Sequence, residues 1–449
     1  MLGKATKRHM VGFETELLIL EENGAVSTRA DDLIGAANAK GIEYPLRHDY
    51  THNMVEIASV ANIQVRKGAH TWLRTLEKVN RIAKDMGLRI YPYGTYPGLH
   101  VPTPRTDAYY RMCENVLGPE KYVHSTGHVL GFHFHYCLPY GTFNRKTTGL
   151  KRLFRSKNRN TLLNLYNIII AADPALSNLM ESSPFVDGVH MGKDSRVLLY
   201  RAMRAKAGET TIRGLYSDLP LFGMLPQYAD SITGLIMLTE NRYDTWKELV
   251  GEKCPEYMGE AESRHPLQFN WGPLRINRVG TLEYRGLDMN LPSYMIGASL
   301  ILKYLLKKVR TDGLEVTPSD IGIKEPFKIE AGRIHVPPHA YVRQVLQIKS
   351  ALLGLADSEV YRYTRQMVLL SLKSVPNRSD PGLSRVKGIL ESRKSKSDEI
   401  LEKVRREGHD PTERLDEDFA RSLALHSCDE LEDEVRRMIS RELIIDLEN

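Results

Sequence analysis

Cysteine is scarce. Cys113, Cys137, Cys254 and Cys428 are spread over 449 residues, and no two stand at a ligand spacing. That excludes a disulfide frame or a zinc knuckle and leaves reduced thiols as the expectation. Long apolar runs are missing too. The strongest, LLNLYNIIIAADPAL (162–176), is broken by Asn, Asp and Pro, and none reaches the roughly 18–20 residues of a bilayer span. There is no Walker-type glycine loop, no fixed-period repeat and no low-complexity segment. No sign of charge dominates: a net charge of +6 is small for this length. It suits a small anionic substrate such as a nucleotide and does not call for nucleic acid. Lys4, Lys7 and Arg8 precede an apolar run, but Glu14 and Glu16 interrupt that run and no small-residue cleavage site follows. The start is therefore not read as a signal peptide. A cytoplasmic protein without a membrane segment is expected.

What is present is the mix of a globular protein with a real core, 42% hydrophobic and 26% charged. The first three hundred residues alternate short β-like runs with helical ones. Residues 31–40 and 68–87 read as helices; in the second, Trp72, Leu76, Val79 and Ala83 form an apolar stripe and Gly87 is a natural stop. Residues 88–98 read as a strand entering a Pro/Gly-rich loop, 161–176 as an apolar helix ending near Pro174, and 293–310 as another with a basic end. After about residue 310 comes a loop-rich stretch containing Pro337 and Pro338, then charged, helix-periodic segments at 397–408 and 428–444. The expected division is 1–310 as one domain and 311–449 as a mainly helical region whose charge runs are solvated faces. The basic run KRLFRSKNRN (151–160) reads as a solvated loop rather than a nucleic-acid contact.

One pattern recurs along the first domain. In VGFETELLI, strand alternation puts Glu14 and Glu16 on one face and Val11, Phe13, Thr15, Leu17 and Ile19 on the other. Glu56 sits in the otherwise apolar run HNMVEIASV. In GFHFHYC, His133 and His135 share one face while Phe132, Phe134 and Tyr136 take the other. In GTLEYRGLD, Glu283 and Arg285 oppose Leu282 and Tyr284, and the preceding PLRINRVG places Arg275 and Asn277 together, so the two runs read as a hairpin. Each instance alone is also the pattern of a solvated strand face or a cross-strand ion pair. Together they describe a sheet with one greasy face and one face carrying acids, imidazoles and guanidinium groups. Several buried carboxylates are tolerated only beside cations. Glu14, Glu16, Glu56 and Glu283 supply hard oxygen ligands suited to Mg²⁺ or Mn²⁺, and His133 or His135 can add a nitrogen. Arg275 and Arg285 suit phosphate or carboxylate. This is the inventory of a phosphoryl-transfer cleft. A Zn²⁺-dependent hydrolase and a non-catalytic binding or scaffold protein stay open as alternatives, although a hydrolase would call for a third strand-borne histidine.

On these residues the chain resembles the carboxylate–amine ligases related to glutamate–cysteine ligase, within the glutamine synthetase and guanido kinase superfamily. The matching pieces are GFETE (12–16), Glu56, GFHFH (131–135), ALSNLMESSPFVDG (175–188) with DSR (194–196), and LRINRVGTLEYRGLD (274–288). The resemblance implies an α+β fold: an antiparallel sheet of about six strands curved round a funnel-like cleft, with helices outside. It implies ATP and Mg²⁺ (or Mn²⁺) as cofactors, small-molecule carboxylate and amine substrates, and an amide, of γ-glutamyl type, formed through an acyl phosphate. It implies Glu14, Glu16, Glu56 and Glu283 as metal ligands, with His135 ahead of His133. Arg285, Arg196 and Glu283 stand as catalytic residues, Arg285 on the γ-phosphate. Arg196 and Arg275 are phosphate or substrate-carboxylate contacts, and Ser182, Ser183 and Gly188 line the substrate pocket. A missing P-loop fits nucleotide bound across a sheet. Thr15 between the acids, Tyr136-Cys137 after the histidines and Val186 after Phe185 depart from the family pattern beside the proposed ligands and bear on the substrate. A homo-oligomer is expected from the extra helical region. Glu283→Gln is expected to abolish ATP turnover with little loss of fold, because it relieves acid–acid repulsion.

Overall fold

The computed structural model describes residues 9–152, 156–207, 210–376 and 380–447. Lys4, Lys7 and Arg8 and residues 153–155 of the basic run lie outside the described residues.

Seven strands form the main sheet: β1 (Val11–Glu21), β2 (Arg47–His48), β3 (Met54–Ala58), β4 (Leu88–Tyr91), β5 (Gly131–Cys137), β6 (Leu274–Asn277) and β7 (Thr281–Asp288). Their order is β6-β7-β5-β1-β3-β2, all antiparallel, with β4 paired to β1 beyond the end of β5. This is the α+β architecture expected, a curled antiparallel sheet with helices outside and a helical carboxyl-terminal region. β1 is central because its apolar alternation lets it pair on both edges. Phe13, Thr15, Leu17, Val55, Ile57, Phe132, Phe134, Tyr136, Leu282 and Tyr284 all point to one face and are buried there. The one polar member, Thr15, accepts from Trp72 Nε1 at 3.0 Å and donates to the Ile57 carbonyl, so its hydroxyl is satisfied in the core.

The helix Val65–Asp85 covers β1 and β4 with the expected stripe of Trp72, Leu76, Val79 and Ala83. It ends where Gly87 takes φ +71, a left-handed conformation that a residue with a Cβ rarely adopts. The helix Ser156–Asn178 runs four residues past Pro174. Proline removes a backbone donor, and partners close by occupy the neighbouring carbonyls: Tyr363 Oη donates to the Ala171 carbonyl at 2.6 Å and Asn178 Nδ2 to the Pro174 carbonyl at 2.7 Å. The same helix begins inside the basic run, so residues 156–160 are helical rather than loop.

The stretch read as loop after residue 310 holds a three-stranded sheet, Glu315–Pro318, Lys328–Glu330 and Arg333–Val336, whose strands are too short to show alternation. The terminal helix Glu417–Leu447 lies along Val65–Asp85 and β4. Its charges are not all solvated. Arg89 meets Asp429 at 2.6 Å and Glu432 at 3.2 Å, Lys84 meets Glu432 at 2.5 Å, and Tyr93 Oη donates to Glu430. Long acids on the inner face pair with the sheet's outer helix and strand, which periodicity alone does not reveal.

A buried polar node ties the two regions together. Asp173 accepts from Arg201 Nη1 at 3.1 and 3.2 Å, from Tyr284 Oη at 3.0 Å and from Gln347 Nε2 at 2.7 Å, with both charged partners almost fully buried. Removing one partner of a buried pair strands the other, at roughly 3–5 kcal/mol. Asp173→Asn is therefore expected to lower the unfolding free energy by that order, seen as a lower urea midpoint at unchanged m-value in equilibrium denaturation.

Candidate active site

Strand register assembles the polar face row by row. Arg275, Glu283, His135 and Gly12 are successive cross-strand neighbours on β6, β7, β5 and β1. In the next row His133 faces Glu14, and Glu14 faces Ala58. In the third Glu16 faces Glu56, and Glu56 faces Arg47. Gly12 and Ala58 occupy cleft-face positions without bulk, so the acids and imidazoles of four strands converge.

The contacts are close. His135 Nε2 lies 3.4 Å from Glu14 Oε2; His133 Nδ1 is 3.5 Å from Glu14 Oε2, and its Nε2 is 3.2 Å from Glu16 Oε1. One atom each of Glu14, His135 and Glu283 falls within 4.8 Å of the others. Both histidine Nε2 atoms are buried and face only carboxylate oxygens, at separations and angles short of a well-aligned hydrogen bond. A buried set of carboxylate oxygens with such nitrogens fits a divalent cation. The expected ligands Glu14, Glu16, Glu56, His133, His135 and Glu283 are thus brought to one face.

Their electrostatics differ. Burial opposes ionisation of Glu14, but hydrogen bonds and charges from His133 and His135 outweigh it and hold its carboxyl well below the usual range. Glu16 is likewise buried yet lowered, by His133 and then Arg196 and Arg285. Burial works against Glu283 too, and Arg275 and Arg285 override it. Glu56 goes the other way: burial, then Glu14, Asp49 and Glu16, push it well above the usual range, with only Arg47 at 3.8 Å opposing. Burial and the charge of Glu16 push Asp49 up to about 6.

Glu283 is the most tightly held. Arg275 grips it with Nε at 2.6 Å and Nη2 at 3.0 Å, Arg285 Nη1 donates at 2.7 Å, and Asn277 Nδ2 adds a fourth bond. The reason given for expecting little loss of fold in Glu283→Gln is corrected here: the carboxylate neutralises two guanidinium groups, so its loss removes attraction rather than relieving repulsion.

Arg285 keeps the cleft face that alternation gives it, and a bulge follows. The pairing of β7 with β5 shifts between Tyr284 and Leu287, so Arg285 and Gly286 together oppose His133. The extra residue reverses the alternation: Leu287 joins the core opposite Phe132, and Asp288 comes to the cleft-side row opposite Gly131. Arg196, on the short helix Ser195–Arg201, is buried beside Gly131, whose amide donates to Glu16 at 2.5 Å. A Cβ on Gly131 would stand 2.8 Å from Arg196 Nη2 and 3.1 Å from both Glu16 Oε2 and His133 Nε2.

Ser182, Ser183 and Gly188 are not brought to the cavity. Ser183 Oγ donates to Asp288 at 2.6 Å and accepts from the Ser195 amide, while Ser182 Oγ donates to the Met289 carbonyl. They anchor the Arg196 helix to the end of β7. Gly188 packs against Arg414 and Leu415. Lys193 pairs with Asp398 at 2.5 Å, and Asp194 caps the Arg196 helix.

A cavity of about 350 Å³ opens beside the arginines and Glu16. Its walls include Tyr50, Tyr109, Tyr110, Tyr200, Tyr216 and Trp271, with Asp49, Gln268 and Arg278. These aromatics were invisible as a site because they come from separate helices and loops. The one available signal was composition, 22 tyrosines against 10 phenylalanines. Burial raises these phenols, Tyr200 to about 12, so they stay neutral donors.

The fold is shared with solved structures. A bifunctional glutathione synthetase from Pasteurella multocida superposes with a TM-score of 0.53 at 13% identity, over 94% of this chain and 52% of that one, so the chain spans about half its length. A glutamate–cysteine ligase from Francisella tularensis in complex with AMP gives 0.53 at 12% identity, over 96% of this chain and 93% of that one. A search of curated protein sequences finds no match. The pattern of glutamate–cysteine ligase family 2 runs from residue 10 to residue 291, the stretch that carries every strand of the acid-lined sheet, and the chain belongs to that family of carboxylate–amine ligases.

Proposed function

We propose that this protein uses ATP to activate a small carboxylate as an acyl phosphate, which an amine then attacks to give an amide of γ-glutamyl type, ADP and phosphate. The observation that carries the reading is the convergence of Glu14, Glu16, Glu56, His133, His135 and Glu283 on one sheet face, contiguous with a cavity whose rim holds Arg196, Arg275 and Arg285. The family match and the AMP complex of the Francisella structure support nucleotide use. The catalytic part is residues 1–310; the region from 311 to 449 buttresses it from outside the cavity.

The residues divide the work. The acids and imidazoles would hold Mg²⁺ or Mn²⁺, which when bound screens the repulsion between phosphate and carboxylate. Arg285 faces the transferred phosphoryl group, with Glu283 keeping it oriented. Arg196 and Arg275 take phosphate or substrate carboxylate oxygens, their forks matching both. The aromatic walls present neutral hydroxyls and little water, protecting an acyl phosphate from hydrolysis. Glu56 and Asp49 are the acids least compensated by the protein's own cations, which makes them the ones a divalent ion relieves most.

Purified protein with ATP, Mg²⁺ and pooled amino acids is expected to release ADP only when both a carboxylate and an amine are present, with the condensation product identified by mass spectrometry. Zn²⁺-dependent hydrolysis without ATP would instead favour a hydrolase. Glu56→Gln and Glu283→Gln should part company. Both are expected to reduce ADP release at least tenfold. Glu56→Gln should leave the melting temperature of metal-free protein unchanged or higher, whereas Glu283→Gln should destabilise it by about 2–3 kcal/mol, short of the full cost of opening a buried pair because Gln keeps one acceptor oxygen. Gly131→Ala, whose methyl group meets only movable side-chain ends, is expected to keep its circular dichroism and melting temperature but to lose at least tenfold in kcat/KM by displacing Arg196.

A further inference from the structure

We propose a second metal site, of the Zn²⁺ class and separate from the acid-lined cleft, formed by His124, His128 and Asp187. His124 and His128 are four apart on the helix Pro119–His128 and so project from one face. Asp187 belongs to the Asp-Gly turn joining the short strands Phe185–Val186 and Val189–His190. Asp187 and Gly188 have φ of +50 and +77, the hairpin geometry that Asp and Gly tolerate. This turn aims the carboxylate at the helix: Oδ1 is 3.1 Å from His128 Nε2 and Oδ2 is 3.5 Å from His124 Nε2. One donor atom from each of the three residues lies within 4.8 Å of the others. Bonds of about 2.0–2.1 Å at tetrahedral angles place ligand atoms roughly 3.3 Å apart; each imidazole nitrogen stands near that distance from its own carboxylate oxygen, and small side-chain rotations would bring one donor from each residue onto a common ion.

The surroundings suit a metal ligand. His128 Nδ1 is 2.7 Å from the His124 carbonyl, to which it can donate, leaving Nε2 turned to Asp187. A ring fixed by its other nitrogen on a backbone carbonyl is the usual support of a metal-binding histidine. His128 also sits 3.0 Å from the His100 carbonyl through Nε2, and the His100 ring packs edge-on against it with its own Nε2 buried and unpartnered. A hydrogen bond to the carboxylate explains the His128 contact, but the His124 separation is long for one. His124 is half exposed, giving an entry path and room for water as a fourth ligand. Two imidazole nitrogens with one carboxylate favour Zn²⁺ over Mg²⁺, the reverse of the cleft. The consequence is mechanical. Between the two histidines, Thr126 lines the aromatic cavity, as do Tyr122 and Val129 of the same segment. An ion here would staple the cavity wall to the Asp187 hairpin.

The test is Co²⁺ and Zn²⁺ titration of chelator-treated full-length protein in excess Mg²⁺, read by the visible absorption of bound Co²⁺ and by melting temperature. One equivalent of Co²⁺ with tetrahedral-type absorption is expected in the wild type and in Glu14→Gln. Affinity should fall at least tenfold in His124→Ala and in Asp187→Asn, which tolerates the positive φ. Zn²⁺ should raise the melting temperature of the wild type and not of His124→Ala. Absence of Co²⁺ binding in the wild type, or binding kept in both His124→Ala and Asp187→Asn but lost in Glu14→Gln, would overturn the site. Because Glu14→Gln perturbs the cleft alone, the result stands apart from the proposed ligase reaction.

Discussion

Repulsion between carboxylates crowded onto one side of a sheet is the constraint around which the catalytic part is organised. Glu16 and Glu56 are direct cross-strand partners, an arrangement that destabilises unless cations intervene. The protein supplies some of them. His133 and His135 hold Glu14 down, and Arg275 and Arg285 hold Glu283 down, so that half of the cluster is compensated internally. Glu56 and Asp49 are pushed the other way. One face of seven strands therefore carries both a finished ion-pair network and an acid pair still seeking positive charge.

The opposite face makes this tolerable. Phe13 packs against Phe132 and Phe134 with ring centroids 5.7 and 6.2 Å apart, and the surrounding aliphatic and aromatic side chains are buried to the last few per cent. Burial on that scale, about 25 cal/mol per Å² of apolar surface, fixes the register. Register in turn fixes which charges meet, because a one-residue slip would send every acid into the core. The bulge at Arg285–Gly286 breaks the alternation of β7 just after the arginine, and it is what turns Asp288 to the Ser182–Ser183 anchor.

The carboxyl-terminal third contributes from outside. Its last helix is clamped to β4 and to Val65–Asp85 by Arg89, Lys84 and Tyr93, and Gln347 reaches the Asp173 node beneath β7. None of its described residues lines the aromatic cavity. The region packs on the outer helix and β4 of the sheet.

Alternation of apolar and charged residues was enough, by itself, to determine the strands bearing Glu14, Glu16, Glu56, His133, His135, Glu283 and Arg275, and the face each side chain takes, because pleat geometry is local. It was enough for the helix stripe ending at Gly87 as well. Tertiary structure alone decided the rest. The tyrosine-lined cavity, Asp49 at its edge, and the pairing of His124 and His128 with Asp187 bring together residues far apart in the chain, with no shared period to mark them. Ser182 and Ser183, plausible as pocket residues in their motif, became anchors because Asp288 was turned toward them by a bulge that a strict two-residue period cannot show. Glu283 became the partner of two arginines for the same kind of reason: what a buried carboxylate does depends on the charges that neighbouring strands place against it, and those distances exist only once the chain has folded.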